Sequence, residues 1–236
     1  MNLDIIYEDD AFLIVNKPAG IPVHPSVQHY DCSLSSGIKY YFDTLSLDKK
    51  IRPVNRIDKN TSGIVIFAKN EYIQECLVRQ MKNKDILKKY IAVCDGIFSK
   101  KQGTITLPIS RKEGSIIERC IDEKGSPSIT HYLVLNECIK KNYSVLECLL
   151  ETGRTHQIRV HMMAIGHSLL GDTLYGKKSN LINRQALHAY KVSFIHPITK
   201  KRVNYMAPLP YDLLNLINTE NKKRLWKKSL FVEVNL

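Results

Sequence analysis

Apolar and polar positions follow two periods along the chain, and strand-like stretches outnumber helical ones. "AFLIVNKPAG" is an apolar run stopped by Lys17-Pro18-Ala19-Gly20, which predicts a strand meeting a turn. "GIVIFAKN", rich in β-branched and aromatic residues, predicts a second buried strand. Asn70 then predicts a cap for a helix over residues 71–85, with Ile73, Leu77 and Met81 as an apolar stripe and Cys76 beside it. "LKKYIAVCDG" alternates, with Lys88, Tyr90 and Ala92 on one face and Lys89, Ile91 and Val93 on the other. Residues 96–130 are rich in Gly, Ser and Lys, with short strand-like pieces such as "GTITLPI", and are the expected place for mobile loops.

Further on, "THYLVLNE" and "YSVLECLLETG" predict a hairpin closed across "CIKKN". Thr155 is expected to cap a helix over "HQIRVHMMAIG", with Ile158, Met162 and Ile165 facing inward and Gly166 ending it. "ALHAYKVSFIHP" returns to strand character, before a short helix near "YDLLNLIN" and a basic C-terminal segment. Hairpin-like connections outnumber strand–helix alternation, so the pattern predicts an α+β fold with a largely antiparallel sheet rather than a Rossmann fold. No repeat, low-complexity tract or linker stands out, and a single domain over residues 1–236 is expected. Strand pattern begins within the first residues, so no separate N-terminal RNA-binding module is expected.

Charge changes this reading. Lys and Arg number 35 against 23 Asp and Glu, a formal charge of +12 that favours a polyanionic partner. Basic doublets, from Lys49-Lys50 to Lys227-Lys228, recur where apolar segments end, so they ring a folded body and suit structured RNA. The six cysteines lack CxxC spacing and read as buried free thiols. The acidic start lacks the layout of a signal peptide, and no apolar run is long enough to span a bilayer, so a cytoplasmic protein is expected. His156 and His161 are five apart, on different sides of a helix, and no HExxH occurs, so no metal is expected. Ser62 lacks a GxSxG elbow. With neither a P-loop nor GxGxxG present, no cofactor is expected.

Two polar segments remain, "NRIDKNTSG" and "ETGRTHQIRVH", each where a strand meets a turn or helix. Taken alone, Asp58 is an ordinary turn residue between Arg56 and Lys59. In the second segment Arg154 and Gln157 lie near a helix start whose backbone N–H groups suit a phosphate. Arg159 lies one turn on from Thr155 and either snorkels or pairs with a buried acid.

With these blocks the sequence resembles the RluA family of RNA pseudouridine synthases. The ordered set is "NKPAGIPVHP", "NRIDKNTSG", "KYIAVCDG", "LPISRKE", "GSPSITHY", "ETGRTHQIRVHMMAIGHSLLGD" and "LHAYKVSFIHP", which spans nearly the whole chain. The resemblance implies the pseudouridine synthase α+β fold, a mixed, mostly antiparallel sheet flanked by helices and loops, with a central active-site cleft. It implies Asp58 as the essential aspartate, Tyr90 as the active-site tyrosine and Arg159 as the arginine that salt-bridges the aspartate. It also implies Arg56 in RNA binding and nucleotide flipping, and Arg154, His156 and Gln157 in structure or RNA contact. Asn55 and Ile57 depart from the family's histidine and leucine before the aspartate, and Ser128 stands where alanine is common. An S4-like module is not expected. The implied activity is isomerisation of uridines in ribosomal or transfer RNA by a monomer, with no cofactor. The contrasting reading is an RNA-binding or ribosome-assembly protein on the same scaffold, its catalysis dispensable.

Overall fold

The computed structural model describes residues 2–25 and 33–217; Cys32, Lys227-Lys228 and the basic C-terminal segment lie outside them. The chain packs into two compact units. One comprises residues up to Lys88 with His188–Pro208, the other Lys89–Leu187 with the described residues from Leu209. The chain enters the first unit twice, so no linker composition marks a boundary. In chain order the elements are β1 (Ile5–Glu8), β2 (Phe12–Lys17), α1 (Leu34–Thr44), β3 (Arg52–Pro53), β4 (Ser62–Ala68) and α2 (Glu71–Lys82). Next come β5 (Leu87–Asp95), β6 (Gln102–Ile105), β7 (Ile109–Arg111), β8 (Arg119–Ile121), β9 (Thr130–Cys138) and β10 (Tyr143–Leu150). The last are α3 (Gln157–Ala164), β11 (Leu187–Ile195), β12 (Arg202–Met206) and α4 (Tyr211–Ile217).

The first unit is a sheet in the order β1-β2-β4-β11-β12, with β3 also on β4. The β4–β11 pairing is parallel and the others antiparallel. Alternate residues of β2 and β4 serve two cores. Phe12, Ile14, Ile64 and Ile66 join Ile73 and Leu77 of α2, while Leu13, Val15, Val65 and Phe67 join Leu34, Ile38 and Phe42 of α1. A sheet covered on both faces needs apolar residues at every position, which is why both strands read as unbroken runs. Asn70 caps α2 as expected, its side chain accepting from the Ile73 N–H at 2.9 Å. The helix stops at Lys82 rather than 85, because Lys84 turns left-handed at φ 63°.

Close approach of β11 decides one residue of β4. Gly63 has φ +112°, and a Cβ there would overlap the Ala189 backbone carbonyl. Gly63→Ala is therefore expected to destabilise the fold by about 3 kcal/mol or more, from backbone strain plus overpacking. Thermal unfolding checks this, and an unchanged melting temperature would contradict the β4–β11 register.

The second unit holds the strands β5-β10-β9-β6. β9 and β10 form the expected antiparallel hairpin, closed by a 3₁₀ turn over Ile139–Lys141 and a left-handed Asn142. Within 96–130, β6 pairs with β9, and β7 with β8 as a separate two-stranded sheet. The helix α3 carries buried Ile158 and Met162 on its inner face, with Ile165 half-buried just past its end. Thr155 does not cap it: the flanking residue is His156, left-handed at φ 60°. The architecture is the expected α+β, mixed and mostly antiparallel. No helix among the described residues is long and apolar enough to cross a membrane.

Candidate active site

In the first unit Asp58 sits half-buried between β3 and β4, and three devices fix its loop. Its own carbonyl accepts from the Thr61 N–H at 3.0 Å, closing a turn over "DKNT". The next carbonyl, of Lys59, accepts from the Gly20 N–H and from the Lys17 ammonium, both at 2.9 Å. Lys17 is 0% exposed, and it also donates to the Pro18 and Ile21 carbonyls at 2.7 and 2.8 Å. A buried ammonium is tolerable only when its donors are met. Three carbonyls meet these donors and join the "NKPAG" turn to the Asp58 loop.

Asn55 supplies the third device. Its amide nitrogen donates to the Ile64 carbonyl at 3.2 Å and its amide oxygen accepts from the Ile66 N–H at 2.8 Å. One side chain thus continues, on the edge of β4, the ladder that β3 begins, where the Val54 N–H already donates to the Ile66 carbonyl. The departure from the family's histidine is a backbone-mimicking amide, three residues before Asp58. Ile57 packs against the α1-side core. Arg56 is exposed at the lip of the loop. The imidazole of His24 has a lowered pKa, through desolvation first and the Arg56 charge second, which sets the guanidinium within electrostatic reach of "PVHP".

Ser62 gains a partner that sequence did not indicate. Its hydroxyl lies 2.9 Å from Nδ1 of His188, whose Nε2 is 3.3 Å from the Ala207 carbonyl. A carbonyl only accepts, so Nε2–H donates to it, and in that tautomer Nδ1 accepts a hydrogen bond from the Ser62 hydroxyl. Both residues are buried, and the contact is a tie between strands.

The other candidates lie in the second unit. Tyr90 on β5 is 7% exposed. Lys89, on the opposite face of that strand, pairs with Glu147 at 2.9 Å. Gln157 is only 3% exposed, and both ends of its amide are engaged. The oxygen accepts from the Thr152 hydroxyl (2.9 Å) and the Arg154 N–H (3.0 Å); the nitrogen donates to the Ile129 carbonyl (2.9 Å) and the Thr130 hydroxyl (3.0 Å). It knots "ETGR" to the start of β9. Arg154 is exposed, its Nε donating to the Pro127 carbonyl at 3.3 Å. His161 lies inside, between the Thr130 hydroxyl and the Leu107 carbonyl, and burial lowers its pKa.

Arg159 is 7% exposed, and in its own unit it is held by an acid that sequence reading did not single out. Nε and Nη2 donate to Oδ2 and Oδ1 of Asp172 at 2.7 and 2.9 Å, a parallel two-point pair. Asp172 is 1% exposed, and its Oδ1 also accepts from the Leu174 and Tyr175 N–H groups at 3.0 and 3.2 Å. The guanidinium carbon lies 5.0 Å from the centroid of the Tyr175 ring. Of the two readings open for Arg159, the buried acid holds. The local signal for it was "GDTLYG", an aspartate between glycines that turns the chain back on its own N–H groups.

Comparison with known proteins gives first the class and then the family. The structure superposes on Human RNA Pseudouridylate Synthase Domain Containing 1 with a TM-score of 0.73, at 30% identity, over 89% of this chain and 84% of that one. The fold is therefore that of the pseudouridine synthases. A family model described as RNA pseudouridylate synthase matches residues 11–164. The chain is 42% identical over 217 residues to the uncharacterized RNA pseudouridine synthase YhcT of Bacillus subtilis, covering 92% of this chain and 72% of that protein. It is 40% identical over 226 residues to ribosomal large subunit pseudouridine synthase D of Zymomonas mobilis, covering 89% and 70%. The chain belongs to the RluA family of RNA pseudouridine synthases.

Proposed function

We propose that this chain isomerises uridine to pseudouridine in large-subunit ribosomal RNA, with Asp58 as the essential carboxylate. The reading is carried by one observation. Identity of 40% extends over 89% of the chain to a protein named as a large-subunit pseudouridine synthase. The rigidity of the Asp58 loop supports it, since a reacting group must be held in place by its own surroundings.

The reaction is an isomerisation. The N1–C1′ bond breaks, the uracil turns, and C5 joins C1′; the C5 proton leaves and N1 takes one up. Asp58 acts either by attack at C1′ or by removing the C2′ proton on the way to a glycal. Tyr90 offers a flat wall for the uracil and a phenol near its moving proton. The target must first leave its stack, at a cost of about a few kcal/mol. Arg56 offsets that cost from the loop lip, and Arg154 and His156 contact RNA, while Gln157 serves that surface from within by shaping its turn.

Mapping pseudouridine in ribosomal and transfer RNA, from cells with and without the gene, tests the substrate. Loss of one or more large-subunit rRNA positions is the expected result; a loss confined to tRNA would replace the proposed substrate. Arg56→Ala should lower the slope of log affinity against log salt by about 1. Its melting temperature should not change, because the side chain is exposed. Unchanged affinity and single-turnover rate would remove Arg56 from the site.

A further inference from the structure

Tyr175 lies in none of the blocks that carry the family resemblance, yet it meets several candidate residues of the second unit. Its ring packs with Ile109, Val160 and Leu174, so its plane is fixed. Its hydroxyl accepts from the Arg119 N–H of β8 at 2.7 Å and lies 2.8 Å from His156 Nδ1. Its own N–H donates to the carboxylate that grips Arg159. Burial raises the phenol's pKa, so the hydroxyl stays neutral at working pH.

Asp172 and Tyr175 constrain different motions of Arg159. Asp172 holds the guanidinium by its edge, through Nε and Nη2. Bonds along an edge hold a planar group in its plane, and tilt out of that plane is resisted by what packs on its faces. The Tyr175 ring, 5.0 Å from the guanidinium carbon, closes off that tilt on one side. The hydroxyl in turn steadies His156, whose left-handed backbone (φ 60°) opens the helix that carries Arg159.

We propose that Tyr175 is a positioning residue for Arg159, its ring setting the guanidinium plane and its hydroxyl anchoring the start of α3. The proposal rests on the reading, implied by the family resemblance, that Arg159 is the arginine that salt-bridges the essential aspartate, and the test separates the two. Tyr175→Phe keeps the ring but loses the hydroxyl's ties to Arg119 and His156, and should lower the single-turnover rate by less than Tyr175→Met does. Tyr175→Met fills the space without a ring and should lower that rate by about 10- to 100-fold, the scale expected for a misplaced catalytic contact. RNA affinity should fall alike in both, since both lose the hydroxyl that steadies His156. In an Arg159→Lys background the Tyr175→Met change should add little, because residues acting through one another are not additive.

The Arg159 Nε–H proton should also show a ring-current shift by NMR, kept in the Phe variant and lost in the Met variant. That signature reads positioning even if a variant is less stable. Slow Arg159→Lys beside full-rate Tyr175→Met would overturn the proposal alone, as would multiplicative losses in the double variant. A full-rate Arg159→Lys enzyme would remove Arg159 as the essential aspartate's partner and the proposal with it.

Discussion

Replacing Asp58 by alanine is expected to lower the single-turnover rate of pseudouridine formation by about 10⁴-fold or more, the scale seen when a reacting side chain is deleted. The protein should stay folded and still bind RNA. The turn to Thr61, the Lys17 tether and the Asn55 amide all engage backbone or other side chains, so none depends on the Asp58 carboxylate. Asp58 is half-buried in a loop outside the apolar cores, so the variant should keep a cooperative unfolding transition. A protein that only bound RNA or aided assembly would lose nothing measurable from the same change, so the variant divides the two classes of function. Unfolding in parallel with inactivation would instead make Asp58 structural.

The largest effect on stability is expected from Asp172→Ala. It removes the acceptor of two Arg159 donors in a site that is 7% exposed, and of the Leu174 and Tyr175 N–H groups. Breaking a buried pair on one side costs about 3–5 kcal/mol. For a chain of this length that is a fall in melting temperature of roughly 6–20 °C. Replacing both partners by apolar residues of similar size should recover much of the loss, since the pair's desolvation largely offsets its attraction. Urea denaturation of the single and double variants checks this. A loss below about 1 kcal/mol for Asp172→Ala would mean that the pair does not hold Arg159 in solution.

Much of the fold was legible because burial on both faces writes itself into sequence. β2 and β4 carry apolar residues at consecutive positions, and β9 and β10 are strand-like runs joined across the short polar "CIKKN". The helix α1 was missed although Leu34, Ile38 and Phe42 repeat every four residues and Ser33 caps it. Gly37 and paired serines are weak helix formers, and only packing against β2 and β4 compensates them. The α3 cap was misplaced for a related reason: a left-handed histidine held by Tyr175 has no sequence signature.

For the candidate site, motif blocks located Asp58, Tyr90 and Arg159, but not what holds them. Asp172 reaches Arg159 across thirteen residues and a change of element, and His188 reaches Ser62 across 126. Such partners share no helix or strand period, so periodicity cannot find them. Asn55 departs from the family's histidine, and its amide takes backbone partners on β4 that the motif alone does not indicate.

One measurement bears most directly on the central claim. Large-subunit rRNA transcribed with C5-tritiated uridine is incubated with the wild-type protein and with Asp58→Ala, and released tritium is counted, because C5 must lose its hydrogen to join C1′. Release by the wild type to a plateau of one or a few tritium atoms per RNA, and none by Asp58→Ala, is the predicted result. Equal release by both proteins, or none by the wild type on either ribosomal or transfer RNA, would contradict it.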